Sequence, residues 1–383
     1  MFGNAYHKVL VVFGTRPEAI KLAPVILELR RRRNVRVVVC STGQHRDMIA
    51  PVCELFGIDP DYDLDLMRPG QSLTYVAAAI TEGLTPILER ERPDIALVQG
   101  DTTTAFAAAL SCFYNKVQVG HVEAGLRTWN SDSPWPEEMH RVLVGRMASV
   151  HFAPTPGAAE NLIRERVERD DVEITGNTVV DAAKMVADGF DAERSEQLAQ
   201  LLGLTAPGKP LVLFTMHRRE SFGRPVEAVF EAVRRFCAQN EVQLLFPVHP
   251  NPNISEPAQR ILGDAANVRL CQPLDYEQVV FALSRCRFLI TDSGGLVEEA
   301  PTFRKPVLVL RENSERRESI DAGGAILCGT DTNKLLRLAE QLLHGGQLFD
   351  TMSAARNPFG DGRASARIAD SLIGSARRQL RAA

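Results

Sequence analysis

Lys8-Val9-Leu10-Val11-Val12-Phe13-Gly14-Thr15-Arg16-Pro17-Glu18-Ala19-Ile20-Lys21 decides how the rest of the chain is read. Its first six residues form a short apolar run, the length and composition of a buried strand. Gly14 then breaks the run. Thr15 and Glu18 have the spacing of a capping box, and Pro17 suits a first helical turn. The stretch is therefore a strand, a tight turn and a helix. Capping accounts for Thr15, Pro17 and Glu18 but leaves Arg16 unexplained: a guanidinium at a strand-to-helix corner suits a phosphate or an acidic partner. Lys21 follows about one turn later.

The same alternation continues outward. Lys8–Phe13, Val35–Cys40, Asp94–Val98, Lys116–His121, Val150–Ala153 and Glu173–Thr175 read as strands, with helical patterns between most of them. Such βα repetition predicts a doubly wound parallel sheet rather than hairpins. The series restarts after Lys209-Pro210, with strands at Leu211–Thr215, Val242–Pro247, Val268–Cys271, Phe288–Thr291, Val307–Leu310 and Ala325–Leu327. Turn signals at Gly176-Asn177-Thr178 and Pro207-Gly208-Lys209-Pro210 bracket the junction. The division expected is residues 1–176 with a closing helix at 364–383, against residues 177–363. Arginines on that closing helix read as a solvated face.

A chain of 383 residues with 45% hydrophobic content supports two cores. Its formal charge of −4 gives no reason to expect nucleic acid. Seven scattered cysteines, none in a C-x-x-C pair, signal neither a disulfide framework nor a zinc site. The residues ahead of the first strand lack the pattern of a secretion signal, and no apolar run reaches bilayer length, so the expectation is a cytoplasmic protein without membrane insertion.

In open parallel sheets, ligands collect at the loops after the strands' C-terminal ends, and two such domains would share one cleft. Asp101 follows one strand through Gln99-Gly100, and Glu123 follows the next through Val122. Two carboxylates converging in a dry site would raise one pKa toward the range in which a carbon-bound proton is abstracted. Alternatively, Asp101 merely caps the helix that begins at Thr102. The irregular stretch from Glu123 to Pro136 leads into Glu137 and Glu138, whose alternative role is to balance a helix dipole.

The second series opens with a counterpart of the first corner, Met216-His217-Arg218-Arg219-Glu220 after Leu211–Thr215. His217 there suits proton donation or diphosphate contact, and His249, after a later strand, is the weaker candidate. Thr291-Asp292-Ser293-Gly294-Gly295 precedes a helical segment, so free N–H groups at a positive helix end would hold a nucleotide diphosphate. Glu298 or Glu299 would then meet ribose hydroxyls.

Together these residues resemble the non-hydrolysing UDP-N-acetylglucosamine 2-epimerases. The resemblance is carried, in order, by Gly14–Lys21, Thr42-Gly43-Gln44-His45-Arg46, Gln99-Gly100-Asp101-Thr102, His121–Thr128, Trp135-Pro136-Glu137-Glu138, His217-Arg218-Arg219-Glu220 and Asp292-Ser293-Gly294-Gly295. Thr175–Val179 and Asn357–Gly362 extend it to both sides of the second series. It implies two Rossmann-like domains of GT-B-like architecture around a central cleft, usually as a homodimer. It also implies removal of the C2 proton, departure of UDP to leave 2-acetamidoglucal, and re-addition with inverted C2, with no cofactor and no metal. By position, Asp101, Glu123, Glu137 and His217 resemble the catalytic groups. Arg16, Lys21, Ser293, Gly294, Gly295 and Glu299 resemble substrate contacts, and Gln44, His45 and Gln71 fall in segments resembling a second UDP-GlcNAc site where substrate activates. Met216, His140, Val297 and Arg317 depart from the family's pattern and bear on which sugar is used. The competing expectations are a C2 epimerase of a related UDP-acetamido sugar, either a diacetamido uronate or a deoxy sugar, and a GT-B glycosyltransferase.

Overall fold

The computed structural model describes residues 7–43, 46–68, 70–204, 208–218, 222–312 and 317–382. The chain divides into two compact units: residues up to Ala182 together with those from Phe359 onward, and Ala183–Pro358. The passage from one to the other lies inside the helix Thr178–Asp188.

The N-terminal unit holds β1 (His7–Phe13), β2 (Val35–Ser41), β3 (Tyr62–Asp63), β4 (Ile95–Gln99), β5 (Gln118–Val122), β6 (Val150–Ala153) and β7 (Val172–Ile174). All pair in parallel, in the order β3-β2-β1-β4-β5-β6-β7. Helices cover both faces of such a sheet, which is why Val9 to Val12 are wholly buried and read as one apolar run. On one face Leu10, Val12, Val38 and Val98 pack with Ile80 and Leu84 of the helix Leu73–Glu91 and with the alanines of Thr103–Tyr114. The edge strand β3 was not anticipated. Two residues, one of them charged, carry no periodic signal, and a short charged strand is what a protected edge uses.

The second unit repeats the plan with β8 (Leu211–Thr215), β9 (Gln243–Pro247), β10 (Val268–Cys271), β11 (Phe288–Thr291), β12 (Val307–Val309) and β13 (Ala325–Leu327). Their order is β10-β9-β8-β11-β12-β13, again all parallel. Phe214, Phe230 and Phe246 meet edge-on at its core, with centroids 4.6–5.9 Å apart. Each sheet therefore grows outward in both directions from its first strand. The order reverses between β1 and β4 in one and between β8 and β11 in the other, and these switch points are where doubly wound sheets open a crevice.

The closing helix, Ala364–Ala382, packs with the N-terminal unit. Buried Asp181 accepts from its first amides, Ala364 N at 3.1 Å and Ser365 N at 2.8 Å, and from the Ser365 hydroxyl. Burial raises the Asp181 pKa, opposed by those donors. Gly14, at the end of β1, shows how tightly the first corner is built. A Cβ there would lie 2.1 Å from Thr42 Oγ1 and 2.3 Å from Thr104 Oγ1. Gly14→Ala is expected to cost about 1–3 kcal/mol of stability through overpacking, measurable by urea unfolding; an unchanged midpoint would show that the two threonines yield freely.

Candidate active site

In the N-terminal unit, the candidates leave the C-terminal ends of β1, β4 and β5, which are adjacent in the sheet. Gln99 and Val122 are register partners, so Asp101 and Glu123 follow the same end of neighbouring strands. The loop carrying Asp101 is fixed at every residue. Gly100 takes φ +69° and its carbonyl accepts from His121 Nε2 at 2.7 Å. Burial pushes His121 down to about 3, so the ring is neutral and donates. The Asp101 carbonyl meets His140 Nδ1 at 3.0 Å, and the His140 ring stacks on Phe106 with centroids 5.1 Å apart. The Asp101 carboxylate accepts from buried Arg141 at 2.5 Å. Thr102, not Asp101, caps the next helix: its hydroxyl accepts from Ala105 N at 3.0 Å. The capping explanation for Asp101 is thereby removed.

Glu123 adopts φ +63°, uncommon for a residue with a side chain. Its carboxylate is paired with Lys21 Nζ and accepts from Asn177 Nδ2 at 3.1 Å. Lys21, Glu123 and Asn177 are all buried. Each of the two carboxylates thus has its own cation, an arrangement different from the mutual repulsion expected from sequence. Glu137 is half-buried as the first residue of the helix Glu137–Met147. Its neighbour Glu138 organises the preceding loop, accepting from Thr128 N and Trp129 N at 3.0 and 2.9 Å and pairing with Arg141. Arg16 begins the helix Arg16–Arg30 and is half-buried.

Beneath this cluster Glu18 is completely buried. One oxygen accepts from Gly14 N and Thr15 N at 3.0 and 2.7 Å, the other from Thr102 Oγ1 at 2.6 Å. It therefore ties the corner bearing Arg16 to the loop bearing Asp101. Burial raises its pKa from 4.5 to about 7, against the pull of these donors. Folded Glu18 holds its proton more tightly than the unfolded chain does, so stability should fall as pH rises between those values, by on the order of 3 kcal/mol. Glu18→Gln removes this dependence. Urea unfolding at about pH 5 and about pH 8 should show a smaller loss in the variant; equal losses would mean that Glu18 titrates normally.

In the second unit, β8 and β11 are adjacent, and Thr215 and Thr291, register partners, share a hydroxyl hydrogen bond of 2.6 Å. Beyond them, wholly buried Asp292 accepts from the amides of His217 and Arg218, each at 2.8 Å, and its other oxygen lies 2.9 Å from His217 Nδ1. Burial pushes the Asp292 carboxyl up, but His217 and the two amides outweigh it and hold it below its usual value. Asp292 thus neighbours the ring of His217, whose side chain stays 40% exposed. His249 stacks on His217, centroids 5.9 Å apart. Ser293 precedes the helix Gly294–Glu299, and its hydroxyl caps nothing within that helix. Nothing lies within 4 Å of where a Cβ on Gly295 would be, so that backbone is open to close approach. Glu298 and Glu299 are buried. A pocket of about 160 Å³ adjoins His217 and Ser293, walled by Met216, Pro247, Pro273, Leu274 and Val279.

Gln44 and His45 lie outside the described residues, as do Arg219 and Glu220. Gln71 accepts from Arg68 N within its own turn. Sequence reasoning missed Arg141, Asn177 and Asp292 as partners of the three candidates. For Asp292 the available signal was the switch-point rule, which singles out the residues after β11. No group of three or more metal-ligating side chains occurs among the described residues.

The model of the UDP-N-acetylglucosamine 2-epimerase family matches residues 27–373. A Salmonella typhimurium UDP-N-acetylglucosamine 2-epimerase is 48% identical over 95% of this chain and 98% of its own. The Campylobacter jejuni enzyme of that name is 41% identical over 96% and 97%. The crystal structure of a Neisseria meningitidis UDP-GlcNAc 2-epimerase bound to UDP-GlcNAc superimposes with TM-score 0.90 at 42% identity, covering 96% of this chain and 100% of that one. The fold is the GT-B-like α/β architecture of these isomerases. The chain belongs to the UDP-N-acetylglucosamine 2-epimerase family. A Rickettsia africae glycosyltransferase, 12% identical with TM-score 0.62, shares the fold alone.

Proposed function

We propose that this chain interconverts UDP-GlcNAc and UDP-ManNAc without net hydrolysis. The observation that carries the reading is that carboxylates follow the ends of β4 and β5 in one unit, while a histidine and a glycine-opened helix start follow β8 and β11 in the other. Asp101, Glu123 and Glu137 serve proton transfer at C2, and the helix end at Ser293, Gly294 and Gly295 receives the diphosphate. Removing a C2 proton leaves electrons that expel UDP from C1 and form 2-acetamidoglucal. Return of a proton to the opposite face as UDP re-adds inverts C2. Free amides and His217 match the negative charge that grows on the departing diphosphate. Arg16 and Lys21 supply cations on the N-terminal side, Lys21 through Glu123. The apolar pocket beside His217 suits a flat uracil ring, and Glu299 its ribose.

The N-terminal carboxylates distinguish this reading from a glycosyltransferase, which needs no base at C2. Incubation with UDP-GlcNAc and no acceptor should give an equilibrium mixture of the two UDP-sugars; accumulation of free N-acetylmannosamine with stoichiometric UDP would instead establish a hydrolysing enzyme. The assembly is proposed to be a cytoplasmic homodimer. Phe113 and Tyr114, 61% and 67% exposed at the end of one helix of the N-terminal unit, give it an apolar surface. A second UDP-GlcNAc bound near Gln44, His45 and Gln71 is proposed to activate, so substrate-saturation curves should be sigmoidal.

A further inference from the structure

At the opposite end of the C-terminal unit's sheet lies a cavity of about 710 Å³, and Lys209, Arg285, Arg287, Arg304 and Lys305 line it. These residues fall where β8, β11 and β12 begin, and those strands are neighbours in the sheet. Ser293 and His217 follow the other ends of the same strands, so five residues of strand, roughly 15 Å, separate the two sites.

Three arginines elsewhere in this unit are neutralised by carboxylates. Arg194 pairs with Glu277, Arg234 with Asp264 and Arg260 with Glu227. Among the described residues none of the five cavity cations has an ion pair, and Glu196 is the one carboxylate in the described lining against five cations. Two are held in place by contacts that leave their charge uncompensated. Arg287 donates to the Leu342 carbonyl at 2.9 Å and lies 4.2 Å from the Phe349 ring centroid. Arg285 donates to Ser195 Oγ at 3.2 Å and lies over Phe281. Burial lowers the Lys305 pKa, and Arg285 lowers it further. An ammonium in that position gains from an anion. Offsetting helix C-terminal dipoles explains Arg285, in the last turn of Tyr276–Arg285, and Arg304, at the end of the turn 300–303. The same effect covers Arg287, whose acceptor Leu342 lies in the last turn of the helix Thr332–His344. It does not explain Lys209 and Lys305, nor the open volume that the five cations line.

We propose that this cavity is a second anion site that takes a small oligophosphate. The cations span three strands, about 10 Å across, the reach of a chain of linked phosphates rather than of a single one. The forked guanidinium of Arg287, already seated on an aromatic ring, suits bidentate phosphate contact.

The test is calorimetric titration of the whole protein with tripolyphosphate and, in a second arm, with ATP. One rear site should bind, with affinity falling as salt is raised. The double variant Arg287→Gln/Lys305→Gln should weaken it about ten-fold or more per cation removed, while His217→Ala leaves it intact. Should the double variant not fold, Lys209→Gln/Arg304→Gln, on exposed side chains, serves in its place. Equal affinity for both probes assigns recognition to the phosphate chain alone, and tighter ATP binding identifies a nucleotide as the source. Absence of binding, or binding lost in His217→Ala but kept in the rear variants, overturns the proposal and reduces the five cations to surface charge.

Discussion

Asp101→Asn is expected to lower kcat by about 10²–10⁴-fold, the usual contribution of a positioned acid or base, while UDP affinity changes by no more than a few fold. The reason lies in how the side chain is held. The loop around Asp101 is fixed by His121, His140 and the Thr102–Glu18 bond, none of which involves the Asp101 carboxylate. The amide is nearly isosteric and Arg141, which loses the Asp101 charge, keeps its pairing with Glu138, so the loop survives without the proton-accepting carboxylate. UDP is proposed to be bound by the other unit, through Ser293 and its glycines, and is untouched. Steady-state kinetics combined with UDP titration separates the outcomes. If UDP binding collapses and turnover of the remaining complex is normal, Asp101 is a structural residue.

Lys21→Met should be the most damaging substitution to stability. It removes the ammonium paired with the buried Glu123 carboxylate, which also accepts from Asn177. Breaking one half of a buried ion pair typically costs about 3–5 kcal/mol, because the remaining charge is left uncompensated in a poorly polarisable setting. Lys21→Met/Glu123→Gln removes both charges and should recover much of that loss, yet remain inactive. Urea unfolding of the two single variants and the double variant gives the coupling energy directly. Additive losses would show that the pair contributes little to folding, whatever it does in turnover.

The sheets were legible in the sequence for one physical reason: a strand buried on both faces must be apolar at nearly every position, as Val9 to Val12 and Leu211 to Phe214 are. β3 escaped because two residues with Asp63 among them make no pattern. The candidate residues at the strand ends were legible because topology places ligand loops there. Their supports were not. Arg141 reaches Asp101 across 40 positions and Asn177 reaches Glu123 across 54, contacts that only the folded chain defines. Asp292 was read as part of a phosphate loop. Its burial beneath His217, gripping two amides and Nδ1, gives it a positioning role that local spacing does not reveal. Glu18 is similar: the capping-box reading was sound but incomplete, since its second oxygen binds Thr102 on another strand's loop.

The proton at C2 is the central issue, and heavy water reads it directly. With the protein and UDP-GlcNAc in deuterium oxide and no acceptor present, the anomeric proton is followed by NMR. The account predicts loss of coupling to the C2 proton as deuterium enters both UDP-sugars, with no exchange in Asp101→Asn. UDP-ManNAc formed with its C2 proton retained would contradict it.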